Sequence, residues 1–99
     1  MKKKILTQIV FKSYENGGRV QLPTGSGYSP YFVVEGQTQL LAVRFVDFPE
    51  TGMFEKPCNV EVELLYYAKI DYSGLTDGAK FEVREGTKTL SAGSVLKGL

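Results

Sequence analysis

Apolar residues recur at every second position through most of this chain, and that period dictates strands rather than helices. Ile5, Thr7, Ile9 and Phe11 share one face of the first such segment, with Leu6, Gln8 and Val10 on the other. Leu41, Val43 and Phe45 alternate with Ala42 and Arg44, and Val60, Val62 and Leu64 alternate with Glu61 and Glu63. Ala79, Phe81 and Val83 alternate with Lys80, Glu82 and Arg84. No segment sustains an apolar stripe at i, i+3, i+4 and i+7.

Turn-forming residues divide the alternating runs. Asn16-Gly17-Gly18 follows the first, and Pro23, Gly25, Gly27 and Pro30 punctuate the approach to Tyr31–Val34. Glu35-Gly36 stands between two strand-like runs, as a tight turn needing positive φ requires. Pro49, Gly52 and Pro57 fill the next connection; Asp71, Gly74, Asp77 and Gly78 mark a longer loop. Glu85-Gly86-Thr87 reads as the tip of a hairpin. The spacing predicts six strands, over residues 3–12, 30–35, 38–47, 59–69, 78–85 and 88–97. Closing them into an antiparallel barrel removes the sheet edges that a small domain cannot cover. Gly93, between Ala92 and Ser94, marks a close backbone approach or a bend at a barrel corner.

Composition narrows function mainly by what it lacks. The 99 residues make one domain, 1–99, with a modest core. Twelve Lys and Arg against eleven Asp and Glu leave a net charge of +1, so bulk charge gives no case for nucleic acid or a membrane surface. Lys2-Lys3-Lys4 is the only basic run and reads as a fraying terminus. One cysteine, Cys58, excludes an intramolecular disulfide and suits a reducing, cytoplasmic setting. The start has neither the apolar segment nor the cleavage site of a signal peptide, and no run reaches the roughly 18 apolar residues of a membrane span. With no histidine, Ser/His and Cys/His nucleophile activation are out of reach, and structural zinc lacks its ligands. The expectation is a chain without catalytic residues, metal or cofactor.

The punctuation of the C-terminal half resembles one family. Residues 78–97, GAKFEVREGTKTLSAGSVLK, are similar to the last hairpin of elongation factor Tu. Phe81, Arg84-Glu85-Gly86, Lys88, Thr89 and Ala92-Gly93-Ser94-Val95 carry the likeness. Upstream, Gly17-Gly18-Arg19 and Gly27-Tyr28-Ser29-Pro30 resemble the family's Gly-Gly-Arg and Gly-Tyr-Arg-Pro elements, in the same order. The resemblance spans essentially the whole chain and implies a six-stranded antiparallel barrel like that factor's third domain. In the family this barrel packs on the GTPase domain and the second barrel, touches the T-stem backbone of aminoacyl-tRNA, and meets the nucleotide exchange factor. Four departures stand out. Val20 replaces a histidine, Ser29 replaces an arginine, Val33-Val34-Glu35-Gly36-Gln37 replaces an Arg- and Thr-rich segment, and Cys58 stands at a turn glycine. Losing such polar groups weakens contact with RNA phosphates.

Residues Thr24-Gly25-Ser26-Gly27 lack the lysine and following helix of a phosphate loop, which excludes direct nucleotide binding. The resemblance therefore implies a binding module whose partner is a protein or tRNA, with no membrane. Its candidate contacts are Arg19, Tyr28, Arg84, Glu85, Gly86 and Lys88. A decoy or immunity-type protein that mimics elongation factor Tu toward a protein partner is the alternative. Tyr31 and Tyr72 read as barrel-wall packing, while adjacent Tyr66 and Tyr67 on a strand would point to opposite sides. Glu61 and Glu63, roughly 7 Å apart on one strand face, read as a solvated outer wall. Cys58 reads as an unreactive loop thiol.

Overall fold

The computed structural model describes residues 3–18, 21–23, 27–46, 48–49, 52–67 and 69–99. Alternation becomes strands at six places: β1 Lys3–Phe11, β2 Tyr31–Val34, β3 Leu41–Phe45, β4 Pro57–Leu64, β5 Lys80–Glu85 and β6 Lys88–Lys97. All pair antiparallel and close in the order β1-β4-β3-β2-β5-β6. The chain is therefore the all-β, six-stranded closed barrel that the period predicts.

β1 shows how the pattern becomes packing. It bonds β4 along one side and β6 along the other, so it has no free edge. Its inward residues Ile5, Ile9 and Phe11 are buried, and Thr7 among them donates its hydroxyl to the Val60 carbonyl at 2.7 Å. That bond offsets the cost of placing a polar atom in the core. On the neighbouring strands β2 and β5, Phe32 and Phe81 stack with centroids 4.0 Å apart. Gly93 lies opposite both Ile9 and Phe81, where a Cβ would come within 2.5 Å of the Gln8 carbonyl. The predicted close approach is a contact between β1 and β6 that only glycine permits.

Most boundaries shift by a residue or two from the sequence reading, and the two largest shifts, at the start of β3 and the end of β4, have a local reason. β3 begins at Leu41 rather than 38. Gln37 N–H closes a turn onto the Val34 carbonyl at 2.9 Å, but residues 37–40 then run outside the ladder. β4 begins at Pro57 and stops at Leu64 rather than 69, because Tyr67 N–H turns back onto the Leu64 carbonyl at 3.2 Å. Cys58 accordingly lies in β4, not in a loop; it is buried, with its thiol toward the carbonyls of Lys56 and Met53.

The two ends of the barrel are closed differently. At one end lie the 3₁₀ turn Tyr14–Asn16, the loop before β4 and the β5–β6 tip; Phe11, Tyr28, Phe45 and Phe48 fill it. At the other, the connection from β4 to β5 folds over the opening and inserts Tyr72 and Leu75, both buried. We refer to these as the tip end and the capped end.

Candidate binding surface at the hairpin tip

The tip is built by a two-residue turn. Glu85 and Lys88 are its closing pair, and Gly86 has φ 61. Positive φ at the first central residue but not at Thr87 is the pattern of a type II′ turn, whose twist matches the flanking strands. Glycine stands there for backbone reasons, whatever the tip contacts.

Tyr28 reaches this tip from the strand-like run before β2. Phe45 N–H donates to the Tyr28 carbonyl at 2.7 Å, and Gly27 N–H donates to the Phe45 carbonyl at 3.2 Å, extending the β2–β3 ladder backward. The Tyr28 ring then meets Phe45 edge-on at 4.9 Å and Phe11 at 6.4 Å. From that anchored position its hydroxyl donates to the Glu85 carboxylate. Of the predicted contact residues, Tyr28, Arg84, Glu85, Gly86 and Lys88 thus gather at one end of the barrel.

They are not equally available. The Arg84 guanidinium bonds Glu82 at 2.8 Å, two residues back on the same strand face. Its Nε is buried without a hydrogen-bond partner, beside the irregular register between Val83 and Arg84. Lys88 is exposed, and its side chain makes no hydrogen bond or ion pair among the described residues. Ser29 is exposed and its hydroxyl turns back to the Gly27 carbonyl at 3.1 Å. Arg19, together with Val20, lies outside the described residues. The preceding glycines are described: Gly17 and Gly18 N–H close onto Tyr14 and Ser13 carbonyls, and a Cβ on Gly18 would strike the Lys12 carbonyl.

One residue of this end was invisible to pattern reading. Glu55 accepts hydrogen bonds from Ser13 N–H at 2.7 Å and from the Asn16 side chain at 2.9 Å, tying the loop before β4 to the 3₁₀ turn. The Asn16 amide and then the Ser13 N–H hold its carboxyl below the ordinary range. Glu55 itself has φ 61, the only described non-glycine residue with positive φ. An acidic residue in a left-handed backbone leaves no periodic mark in a sequence.

Elsewhere the structure corrects several readings. Glu63 is not solvated: it is buried to 9% exposure and bonds Arg44, its cross-strand neighbour, at 2.8 Å. Glu61 alone keeps the exposed position expected of both. Tyr66 and Tyr67 do not point to opposite sides, because β4 has already ended; both are exposed, at 53% and 44%. Tyr72 is buried, but in the connection that caps the barrel rather than in its wall, and Tyr31 is 39% exposed on the outer face opposite Arg84.

Among the described residues no group of three or more His, Cys, Asp or Glu is arranged to hold a metal, and no helix is long and apolar enough to cross a membrane. Grooves of about 340 Å³ beside the 35–37 turn and about 440 Å³ beside Tyr67 both lie away from the tip. No protein-family model matches the chain.

Proposed function

We propose that this chain is a non-catalytic, cytoplasmic binding module resembling the third domain of elongation factor Tu, linked to translation, and that it works through the tip end. The mounting of the tip carries this reading. Tyr28, itself packed on Phe45 and Phe11, holds Glu85 by a hydrogen bond, so the exposed residues Gly86, Thr87 and Lys88 are presented in one conformation. A surface ordered before contact loses less entropy on binding. Lys88 and an exposed turn suit the sugar–phosphate backbone of tRNA, which is met through cations and main-chain groups rather than base edges. The absence of histidine supports recognition rather than proton transfer.

One observation favours a second reading. Arg84, the other cation of the tip, is already paired with Glu82. Neutralising a phosphate then means breaking an internal pair, which lowers the RNA contribution. A decoy or immunity-type protein that occupies a partner of elongation factor Tu needs shape more than free charge, and fits this arrangement.

A gel-shift titration with aminoacyl-tRNA at low salt tests the first reading. Retardation at tens of micromolar protein, weakened by Lys88→Glu, is the expected result; an unshifted band at about that concentration removes tRNA as partner. A pull-down from lysate separates the two readings. Recovered RNA favours the first, and one stoichiometric protein without RNA favours the second.

A further inference from the structure

The tip end carries a reactive dipeptide, and the argument for it does not depend on what the tip binds. Asparagine occurs twice in the chain, at Asn16 and Asn59. Asn16 is exposed, ends the 3₁₀ turn and precedes Gly17. A backbone nitrogen attacks the side-chain carbonyl of a preceding asparagine most readily when it belongs to glycine, which puts no Cβ in the way. Gly17 stands in open space, with φ 88 and nothing within 4 Å of where a Cβ would be. Asn59 is the contrast. It lies within β4 and precedes Val60, whose branched side chain crowds the attacking nitrogen.

The fold restrains both reacting groups. Gly17 N–H donates to the Tyr14 carbonyl at 3.0 Å, which holds the proton that the nitrogen must lose. The Asn16 amide donates to the Glu55 carboxylate at 2.9 Å and, more weakly, to the Ser13 hydroxyl at 3.4 Å. Glu55 also accepts from Ser13 N–H at 2.7 Å, so one carboxylate fixes both ends of the turn. Behind the turn, Gly18 N–H donates to the Ser13 carbonyl at 2.8 Å, and a Cβ on Gly18 would strike the Lys12 carbonyl. The turn is clamped from two sides and has no slack.

We propose that Asn16-Gly17 is a site of spontaneous deamidation, that Glu55 is its brake, and that the product unties the 3₁₀ turn from the loop before β4. The Gly17 nitrogen forms a bond to Asn16 Cγ and gives up its proton; the Cγ–Nδ2 bond breaks and ammonia leaves. Water then opens the cyclic imide at either carbonyl, leaving aspartate or isoaspartate at position 16. Both products set a carboxylate where an amide had met Glu55 at 2.9 Å, and two like charges that close repel. Isoaspartate also adds a carbon to the main chain between the Tyr14 carbonyl and Gly17 N–H, which the tight i to i+3 geometry cannot take up.

The chain is incubated in mildly alkaline buffer beside a peptide of residues 13–18, and deamidation is followed by peptide-mapping mass spectrometry with isoaspartate quantified separately. Conversion is expected at Asn16 and not at Asn59, about threefold or more slowly than in the peptide, because the turn must open first. Glu55→Ala should speed conversion at Asn16 by about threefold or more, whereas Glu61→Ala, which removes an exposed carboxylate of the wall, should not. Far-UV circular dichroism confirms that each variant folds. Asn16→Asp carries one product from the start, and keeps the proposal testable should Glu55→Ala fail to fold. It should lower the protection factor of the Ser13 amide and leave that of Leu75, bonded to the Tyr72 carbonyl under the cap, unchanged. Conversion of the wild type at the peptide's rate overturns the proposal. So does an absence of product in Glu55→Ala once the peptide is exhausted, an equal gain in Glu61→Ala, or unaltered Ser13 protection in Asn16→Asp.

Discussion

The two ends of this barrel solve the same problem with different chemistry. The tip end is filled by rings: Phe11 meets Phe48 edge-on at 5.7 Å, and Phe45 lies parallel to Phe48 at 6.4 Å. Its loops are then tied by a carboxylate, Glu55, and by the Tyr28–Glu85 bond. The capped end is filled by one loop, with Leu75 fully buried and Tyr72 at its centre. There the tie is a neutral phenol, which donates to the Ala42 carbonyl at 2.7 Å and accepts from Tyr66 N–H. A domain with one small core closes its two openings by aromatic area at one end and by a satisfied polar plug at the other. The tip end is thereby responsive to acid, and the capped end to alkali.

The largest effect that separates the ends is a loss of ring packing. Phe45 touches Phe11, Tyr28 and Phe48 and is fully buried. Phe45→Ala should cost about 3–5 kcal/mol of unfolding free energy, a large share of the margin of a domain this size. Urea denaturation followed by circular dichroism measures it. A cost below about 1 kcal/mol would mean that the ring cluster does not hold the tip end.

Tyr72→Phe removes the polar tie of the capped end while keeping its volume. It leaves the Ala42 carbonyl and the Tyr66 N–H without their shared partner, at a cost of about 1–3 kcal/mol. The phenol also sets an alkaline limit. Burial raises the Tyr72 pKa above its ordinary value, the Tyr66 N–H acting in the opposite sense. A raised folded-state value means that this contribution is complete below about pH 10 and is lost as pH climbs through the folded value. Stability against pH, measured from pH 8 upward by denaturant unfolding, should fall in the wild type and fall less in Tyr72→Phe.

Period-two alternation made the barrel legible, because a strand with one buried face must repeat every second residue. Hence β1, β5 and β6 lie within a residue or two of their expected bounds. What escaped is what does not repeat. Leu64 to Tyr67 continues the apolar run in sequence, so nothing there announced that the chain turns away to cap the barrel. Glu63 shares its strand face with solvated Glu61, and only the register that sets Arg44 opposite it distinguishes the two. The tip was legible as a turn through Gly86, yet its anchoring by Tyr28 spans 57 residues and its Arg84 is spent locally on Glu82. Partner choice at such a site depends on which cations remain free, and that is settled by tertiary contacts.

A smaller effect probes the wall joining the ends. Arg44 is a partly exposed side chain, and its pair with Glu63 spans β3 and β4. Arg44→Ala should cost about 1–2 kcal/mol, because the arginine is half-exposed but the Glu63 carboxylate it leaves is largely buried. Denaturant midpoints at low and at high salt measure it, and the difference between variants should shrink as salt rises. A loss near that of Phe45→Ala would place the wall, not the ring cluster, at the centre of the tip end's stability.

The smallest effect carries the sharpest contrast. Glu55 is bonded in the folded state by Asn16 and Ser13, which lower its pKa. A depressed folded-state value means that its contribution is present above the ordinary carboxylate range and is lost as pH falls through that range and below. Because the group is fully solvated, the global cost is slight, and the local consequence is the better signal. Acidification from about pH 6 to 3 should lower the protection factor of the Ser13 amide, which donates to Glu55, before it lowers that of Leu75 or Tyr66 at the cap. Glu55→Gln should leave Ser13 exchange nearly insensitive to pH once the intrinsic rate is divided out. If Ser13 and Leu75 lose protection together in acid, the ends do not open separately, and the barrel responds to charge as one cooperative unit.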